Sequence, residues 1–344
     1  MKTFPSSRPA RPALPARGVR MSLKMRVAAG VVTICLLALV ARRVPLGALV
    51  AAFRGVDYAS FLALMVVNTL FYFCWDTLVL STVIRWFHRD VPYRDLLSVR
   101  AASYVLGFFN TNAGRGGLAA YLWRRLGSPF LELGSTVIFL VLTEYTQLVL
   151  WAMLGIFAFQ KEITTSLLPV AGLVATLWVG FFLYMRLHIQ PIFNHRALAW
   201  LLAPREWQVL RTFRHATVGR YCQIVALRAP MFLVSLWAHY FGAHAFGIHI
   251  PFGPMLTFLP VIFMAAALPI SVAHLGTTQA AWIFFFGQYA PAPRLLAFSL
   301  AAHLTFTVTR ALLGLAWLPI AFGELTAGGH QPAAISRQPS AVSF

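Results

Sequence analysis

The chain has 344 residues, of which 59% are hydrophobic and only 11% charged, with a formal net charge of +19. A soluble domain carries roughly 25% charged residues, so this composition excludes a soluble fold. The basic excess does not point to nucleic acid either, because the lysines and arginines lie in the linkers between apolar runs, where they mark the cytoplasmic side of a membrane protein.

The first twenty-two residues, with Arg8, Arg11, Arg17 and Arg20, are basic, rich in proline and without an acid. They read as a disordered cytoplasmic tail. Val27–Ala41 follows as a signal anchor and first span, since it ends in Arg42 and Arg43 rather than in a small-residue cleavage site. Pro45–Asp57 is expected at the interface. Phe61–Val83 is a clear span that runs into Arg85, Arg89, Arg94 and Arg100. Leu96–Asn110 is too short to cross. It breaks at Thr111–Gly117 and resumes as Leu118–Leu126 with Arg124 and Arg125. Basic residues at both ends put both ends on one side, so the unit is expected to be re-entrant.

Leu131–Phe159 crosses, Leu167–Leu187 returns, and a long basic linker with Arg186, Arg196, Arg205, Arg211, Arg214 and Arg220 lies on the membrane surface. Val225–Phe246 crosses again. Phe252–Ala267 enters, breaks at Leu268–Gly276 and restarts as Thr277–Tyr289, and Leu295–Phe322 is the last span before a polar tail from residue 324. The reading is an all-α polytopic membrane protein. It has about six crossing helices and two broken or re-entrant elements, one from each face, in a single membrane domain over residues 23–323 with both termini cytoplasmic. Corresponding breaks in two halves of opposite orientation point to an inverted repeat with a site near the midplane.

Ionisable groups within apolar spans are costly, about 2.5–3.5 kcal/mol each on insertion scales, and mark partners or water-filled cavities. Asp76, Glu144, Arg228 and Arg310 qualify. Arg228, near a helix start, is expected to snorkel. Arg310 shares a helical face with Thr307 and His303, and either pairs with Glu144 or Asp76 or meets substrate. The two acids either carry protons or neutralise arginines. The breaks supply the remaining candidates for an anionic head group: Asn112, Gly114, Arg115, Gly116, Gly117 and Arg124 in the first, and His274, Gly276 and Gln279 in the second. The spacing of His239, His244 and His249 does not align ligands on a helix, and Cys35, Cys74 and Cys222 show no CxxC pairing and read as core residues. No metal site and no cofactor are expected.

Several of these motifs, taken in order, resemble the flippase-like family that includes the transmembrane region of lysylphosphatidylglycerol synthases. They are Arg85-Trp86 after a long span, the Phe109–Gly117 break with its basic helix, Glu144 in the next span, and the break from Leu268-Pro269-Ile270-Ser271 to Gly276. The resemblance covers Val44 to Phe322. The sequence departs from the family pattern at Tyr145 in place of an arginine, His274 in place of a glycine and Gln279 in place of an acid. No aminoacyl-transfer domain follows, so lipid aminoacylation by this chain alone is not expected. The resemblance implies a bacterial inner-membrane translocase for a lipid or lipid-linked precursor, with anionic phospholipid or polyprenyl phosphate as its partner. The alternatives are an accessory subunit, docked to a biosynthetic partner, or a lipid-modifying enzyme of envelope-lipid synthesis. For the enzyme, Asp57, near the outer face, is the sole exposed candidate.

Overall fold

A computed structural model describes residues 46–327, apart from residues 89, 110, 127–129, 160, 162–166, 187–206, 208–209 and 268–275. Within them the chain is helical, without strands. It forms α1 (Leu46–Ala52), α2 (Tyr58–Phe87), α3 (Tyr93–Phe109), α4 (Thr111–Leu126), α5 (Phe130–Ala158) and α6 (Leu168–Arg186). After these come α7 (Arg211–His215), α8 (Val218–Ala245), α9 (Phe252–Ala267), α10 (Thr277–Phe286) and α11 (Ala292–Ala327). Five helices, α2, α5, α6, α8 and α11, are long and apolar enough to cross a membrane. They are five of the six expected crossings. The sixth, Val27–Ala41, lies outside the described residues, as does the N-terminal tail; the C-terminal tail expected from residue 324 begins later than that, since α11 continues to Ala327.

Aromatic and polar contacts fix the directions. Phe61 of α2 meets Phe246 just past α8 at 5.1 Å between ring centroids, Ser235 donates to Asn68 at 2.9 Å, and Trp75 Nε1 donates to the Leu227 carbonyl at 2.6 Å. As α2 advances α8 recedes, so the two run antiparallel. Trp151 stacks on Phe232 at 5.3 Å and Thr146 bonds Tyr221, so α5 runs parallel to α8. The face on which α2 ends and α8 begins carries Arg85, Arg94, Arg211, Arg214 and Arg220, and is called the basic face here.

Both broken elements are re-entrant. The α3–α4 hairpin starts beside the end of α2 and goes in only as far as the level where Tyr104 packs on Phe73, halfway along α2. It then returns, with Leu118 and Leu122 back among Val79, Val83 and Ile84. The α9–α10 hairpin enters from the opposite face. Phe252 packs on Phe159 at the far end of α5, Phe263 reaches Phe232 midway along α8, and Trp282 comes back to Phe298 near the start of α11. The first break is shorter than the sequence suggests, because α4 is already helical from Thr111 and only residue 110 separates the hairpin arms. Gly114 permits this closeness: a Cβ there would lie 2.8 Å from the Ser103 carbonyl oxygen and 2.9 Å from the Gly107 Cα.

The packing is two-fold. If α2, α3, α4 and α5 are exchanged with α8, α9, α10 and α11, each substantial packing pair among these eight helices maps onto another: α3 on α11 becomes α9 on α5, α4 on α5 becomes α10 on α11, and α2 on α8 maps onto itself. Since α2 and α8 are antiparallel, the repeat is inverted, as expected for a site at the midplane. Close approach recurs at matching glycines. A Cβ on Gly155 of α5 would lie 2.8 Å from the Thr257 Cα of α9, and one on Gly314 of α11 2.7 Å from the Ala101 carbonyl oxygen of α3. Gly314 follows Gly155 at the same interval at which α9 follows α3. Because backbone atoms cannot rotate away, Gly155→Ala is expected to destabilise the protein by about 1–3 kcal/mol, read as a lower melting temperature in detergent.

Of the helices outside the repeat, α1, α6 and α7, only α6 is long enough to cross a membrane. It packs on α5, where Trp178 Nε1 donates to Thr146 Oγ1 at 3.0 Å. Its other faces present Leu173, Leu177 and Leu183 outward. The expectation that the cysteines are core residues does not hold for Cys74 and Cys222, which are exposed. Small apolar-compatible side chains cost little there. Cys35 lies outside the described residues.

At the basic face His88, just past α2, lies 2.7 Å through Nε2 from Thr136 Oγ1, which in turn lies 3.2 Å from Thr212 Oγ1 on α7. Burial, and then the charge of Arg211, hold this imidazole below its ordinary value of 6.5. Below that pH the unfolded chain takes up a proton that the folded protein resists, so stability falls as pH drops through 6.5, whereas above it the group contributes no slope. Melting temperature followed from pH 7.5 to about 5.5 is expected to fall in the wild type and to fall less in His88→Gln.

Candidate functional site

The middle of the repeat is where the apolar pattern fails. Asp76, 3% exposed on α2, accepts a hydrogen bond from Arg100 on α3. Its other carboxylate oxygen lies 3.7 Å from a guanidinium nitrogen of Arg228, 2% exposed on α8. One carboxylate thus serves two guanidiniums. The expectation that Arg228 snorkels is overturned, because its position near the α8 start suggested an outlet to water that the packing of α2 closes. Of the roles open to Asp76, neutralising arginines is the one the geometry supports.

A second group adjoins the first. The Arg310 guanidinium lies over the Tyr104 ring, 3.7 Å from its centroid, with Phe306 on the same side at 5.0 Å. Arg100 approaches the same tyrosine at 5.5 Å. Tyr72 donates to Glu144 Oε1 at 3.4 Å and packs edge-on against Phe306 at 5.7 Å. Arg310 forms no ion pair with Glu144 or Asp76; it rests on an aromatic face, which attracts a cation through the ring quadrupole. His303 and Thr307 share its helical face, both half-buried.

Hydrogen-bonding capacity is left over. Nε of Arg100, Arg228 and Arg310 and the Tyr104 hydroxyl, itself on a residue 3% exposed, are buried without a hydrogen-bond partner among the described residues. Buried donors are normally paired. Four donors clustered at mid-bilayer are a place for water or for an anion with several acceptor oxygens.

The hairpins bring the other candidates in unequally. Gly114 packs on α3, while Gly116 and Gly117 lie in the second turn of α4, where their amides bond within the helix. The side chains of Asn112, Arg115 and Arg124 lie outside the described residues. In the second hairpin Gly276, at φ 91°, caps α10 and its N–H donates to Gln279 Oε1 at 2.7 Å. Gln279 is fully buried and its Nε2 has no partner among the described residues. An amide there does what an acid would do at this capping position, so the departure at Gln279 keeps the helix start. His274 lies outside the described residues. Among the described residues no group of three or more metal-binding side chains occurs.

The lysylphosphatidylglycerol synthase transmembrane-region model matches residues 26–314. The chain belongs to that family. No curated protein matches the chain. In this member of the synthase transmembrane-region family the polar centre includes Tyr72, Tyr104 and Arg100, which sequence reasoning passed over. Tyrosines are unremarkable in membrane helices, and Arg100 falls at the end of a run of basic residues that reads as surface. The signal available was the spacing of Arg100 and Tyr104, one helical turn apart on a hairpin too short to cross.

Asp57, the candidate acid for an enzyme, is the N-cap of α2. Hydrogen bonds from Ser60 hold its carboxyl below the ordinary carboxylate range, and its side chain accepts from the Ser60 amide at 3.2 Å. A cap that stays ionised and engaged is a structural feature.

Proposed function

We propose that this protein is an inner-membrane translocase for a lipid or lipid-linked precursor with an anionic head group. The observation that carries the reading is the cluster of Arg310, Tyr104, Arg100 and Arg228 at the centre of an inverted repeat. Donors without partners collect there, at the depth a head group must pass. The head group sits against Arg310 and Tyr104, the acyl or prenyl chains stay in the bilayer, and rocking of the two halves opens the site to each face in turn. The basic face is cytoplasmic by the positive-inside rule, so both termini are cytoplasmic as well. Arg115 and the start of α4 guide the head group in from that face, and the second hairpin does so from the other.

Alternating access has a direct readout. In a variant without native cysteines, Thr307→Cys, beside Arg310, is expected to react with a membrane-impermeant thiol reagent applied to either face, in right-side-out and inverted vesicles separately. Reaction from neither face, or from one face only under all lipid conditions, would favour an accessory subunit or lipid-modifying enzyme of envelope-lipid synthesis.

A further inference from the structure

Charge counting at the midplane separates the two head-group chemistries the site faces. Among the described residues three guanidiniums, Arg100, Arg228 and Arg310, stand against two carboxylates, Asp76 and Glu144. Asp76 is shared between two of the arginines, Glu144 is held by Tyr72, and Arg310 has an aromatic ring in place of a counter-ion. The cluster therefore carries one positive charge in excess. Net charge in a low-dielectric region is what the fold pays most to hold, and a bound anion is the group that removes it.

We infer that the site takes a phosphodiester head group of single negative charge in preference to a phosphomonoester dianion. A monoanion brings the cluster to neutrality. A dianion overshoots and leaves one uncompensated negative charge beside Glu144. The Tyr104 hydroxyl and the Arg310 Nε, two of the four donors without partners, are offered to the non-ester oxygens of the phosphate, and the choice between diester and monoester rests on charge. The inference rests on the proposal that a lipid head group occupies this cluster. It adds that Glu144 sets the charge of the group accepted.

Phosphatidylmethanol and phosphatidic acid isolate the difference, because they share everything except one methyl ester. At pH 8 phosphatidic acid is largely dianionic, the second ionisation of a phosphate monoester lying near about 6. The purified full chain in an uncharged detergent is titrated with each lipid. The wild type is expected to bind phosphatidylmethanol at least roughly tenfold more tightly, a modest fraction of the cost of a stray charge at mid-bilayer. Glu144→Gln, which raises the excess to two, is expected to reverse the order, and Arg310→Gln to weaken both lipids. Equal or tighter binding of phosphatidic acid by the wild type overturns the inference, and so does an unchanged ratio in Glu144→Gln. Neither result depends on transport. Selective binding without lipid movement would remove the translocase reading and keep the assignment, while movement with the opposite selectivity would do the reverse.

Discussion

Asp76→Asn is expected to yield little folded protein, with a loss of about 3–5 kcal/mol, the range seen when one partner of a buried ion pair is removed. The reason is arithmetic at one carboxylate. Asp76 is 3% exposed and neutralises Arg100 from the first hairpin and Arg228 from α8 together. Taking its charge away leaves two guanidiniums facing each other in the core and frees the hairpin from α2. Asp76→Asn combined with Arg100→Gln is expected to recover part of the loss, because the double change removes both a charge and its unsatisfied partner. Monodispersity and melting temperature in detergent read the outcome. A single variant as stable as the wild type would mean that the hairpin is held by the apolar contacts of Leu96, Val99 and Leu118 alone.

Arg310→Gln is expected to behave in the opposite way. It has no carboxylate to abandon, and its guanidinium rests on Tyr104 and Phe306, so the protein stays folded with a stability change of at most about 1–2 kcal/mol for the lost cation–π contact. Lipid movement, in contrast, is expected to fall at least roughly tenfold, since a charge-assisted hydrogen bond to phosphate is lost at the depth where nothing else replaces it. Arg310→Lys keeps the charge but not the planar fork and is expected to fall between the two. Tyr104→Phe tests the same place from the other side of the contact: the hydroxyl goes and the ring under Arg310 stays. On the proposed reading, Asp76 and Arg310 divide one polar centre into a part that holds the hairpin and a part that meets substrate.

How much of this was legible depends on what each residue had to reveal. Crossing helices follow from apolar length, and the five that are described fall where hydropathy puts them. The first re-entrant hairpin follows from basic residues at both ends of a run too short to cross, whereas the second, which carries no charge from Phe252 to Tyr289, shows in the sequence only as a break. The inverted repeat follows only weakly from sequence. Its signature is a set of pairings between helices far apart in the chain, and Gly155 and Gly314 match only once those helices are packed. Arg310 stood out because it lies in the middle of an apolar run. Arg228 stood out too but reads as snorkelling, since a helix-start position looks the same whether the neighbouring helix leaves an outlet to water or seals it. Tyr72 and Tyr104 were invisible for a related reason: an aromatic residue becomes part of a site only when a cation is laid on it, and that is a tertiary fact. The glycines after Thr111 suggested an open loop of free amides, but helix propensity lost to packing there, because close approach of α4 to α3 is what Gly114 makes possible.

The measurement that bears most directly on the proposal is lipid movement itself. Liposomes carrying a fluorescent monoanionic phospholipid are reconstituted with wild-type protein, with the Arg115→Ala, Arg310→Ala double variant, or with no protein, and the outer leaflet is bleached by an impermeant reductant. Wild-type vesicles are predicted to lose nearly all their fluorescence as inner-leaflet lipid arrives at the outer surface, while the folded double variant loses only the label that was outside at the start. Wild-type vesicles that stop where protein-free vesicles stop, with phosphodiester and polyprenyl-phosphate lipids alike, would contradict the assignment of this midplane cluster to translocation.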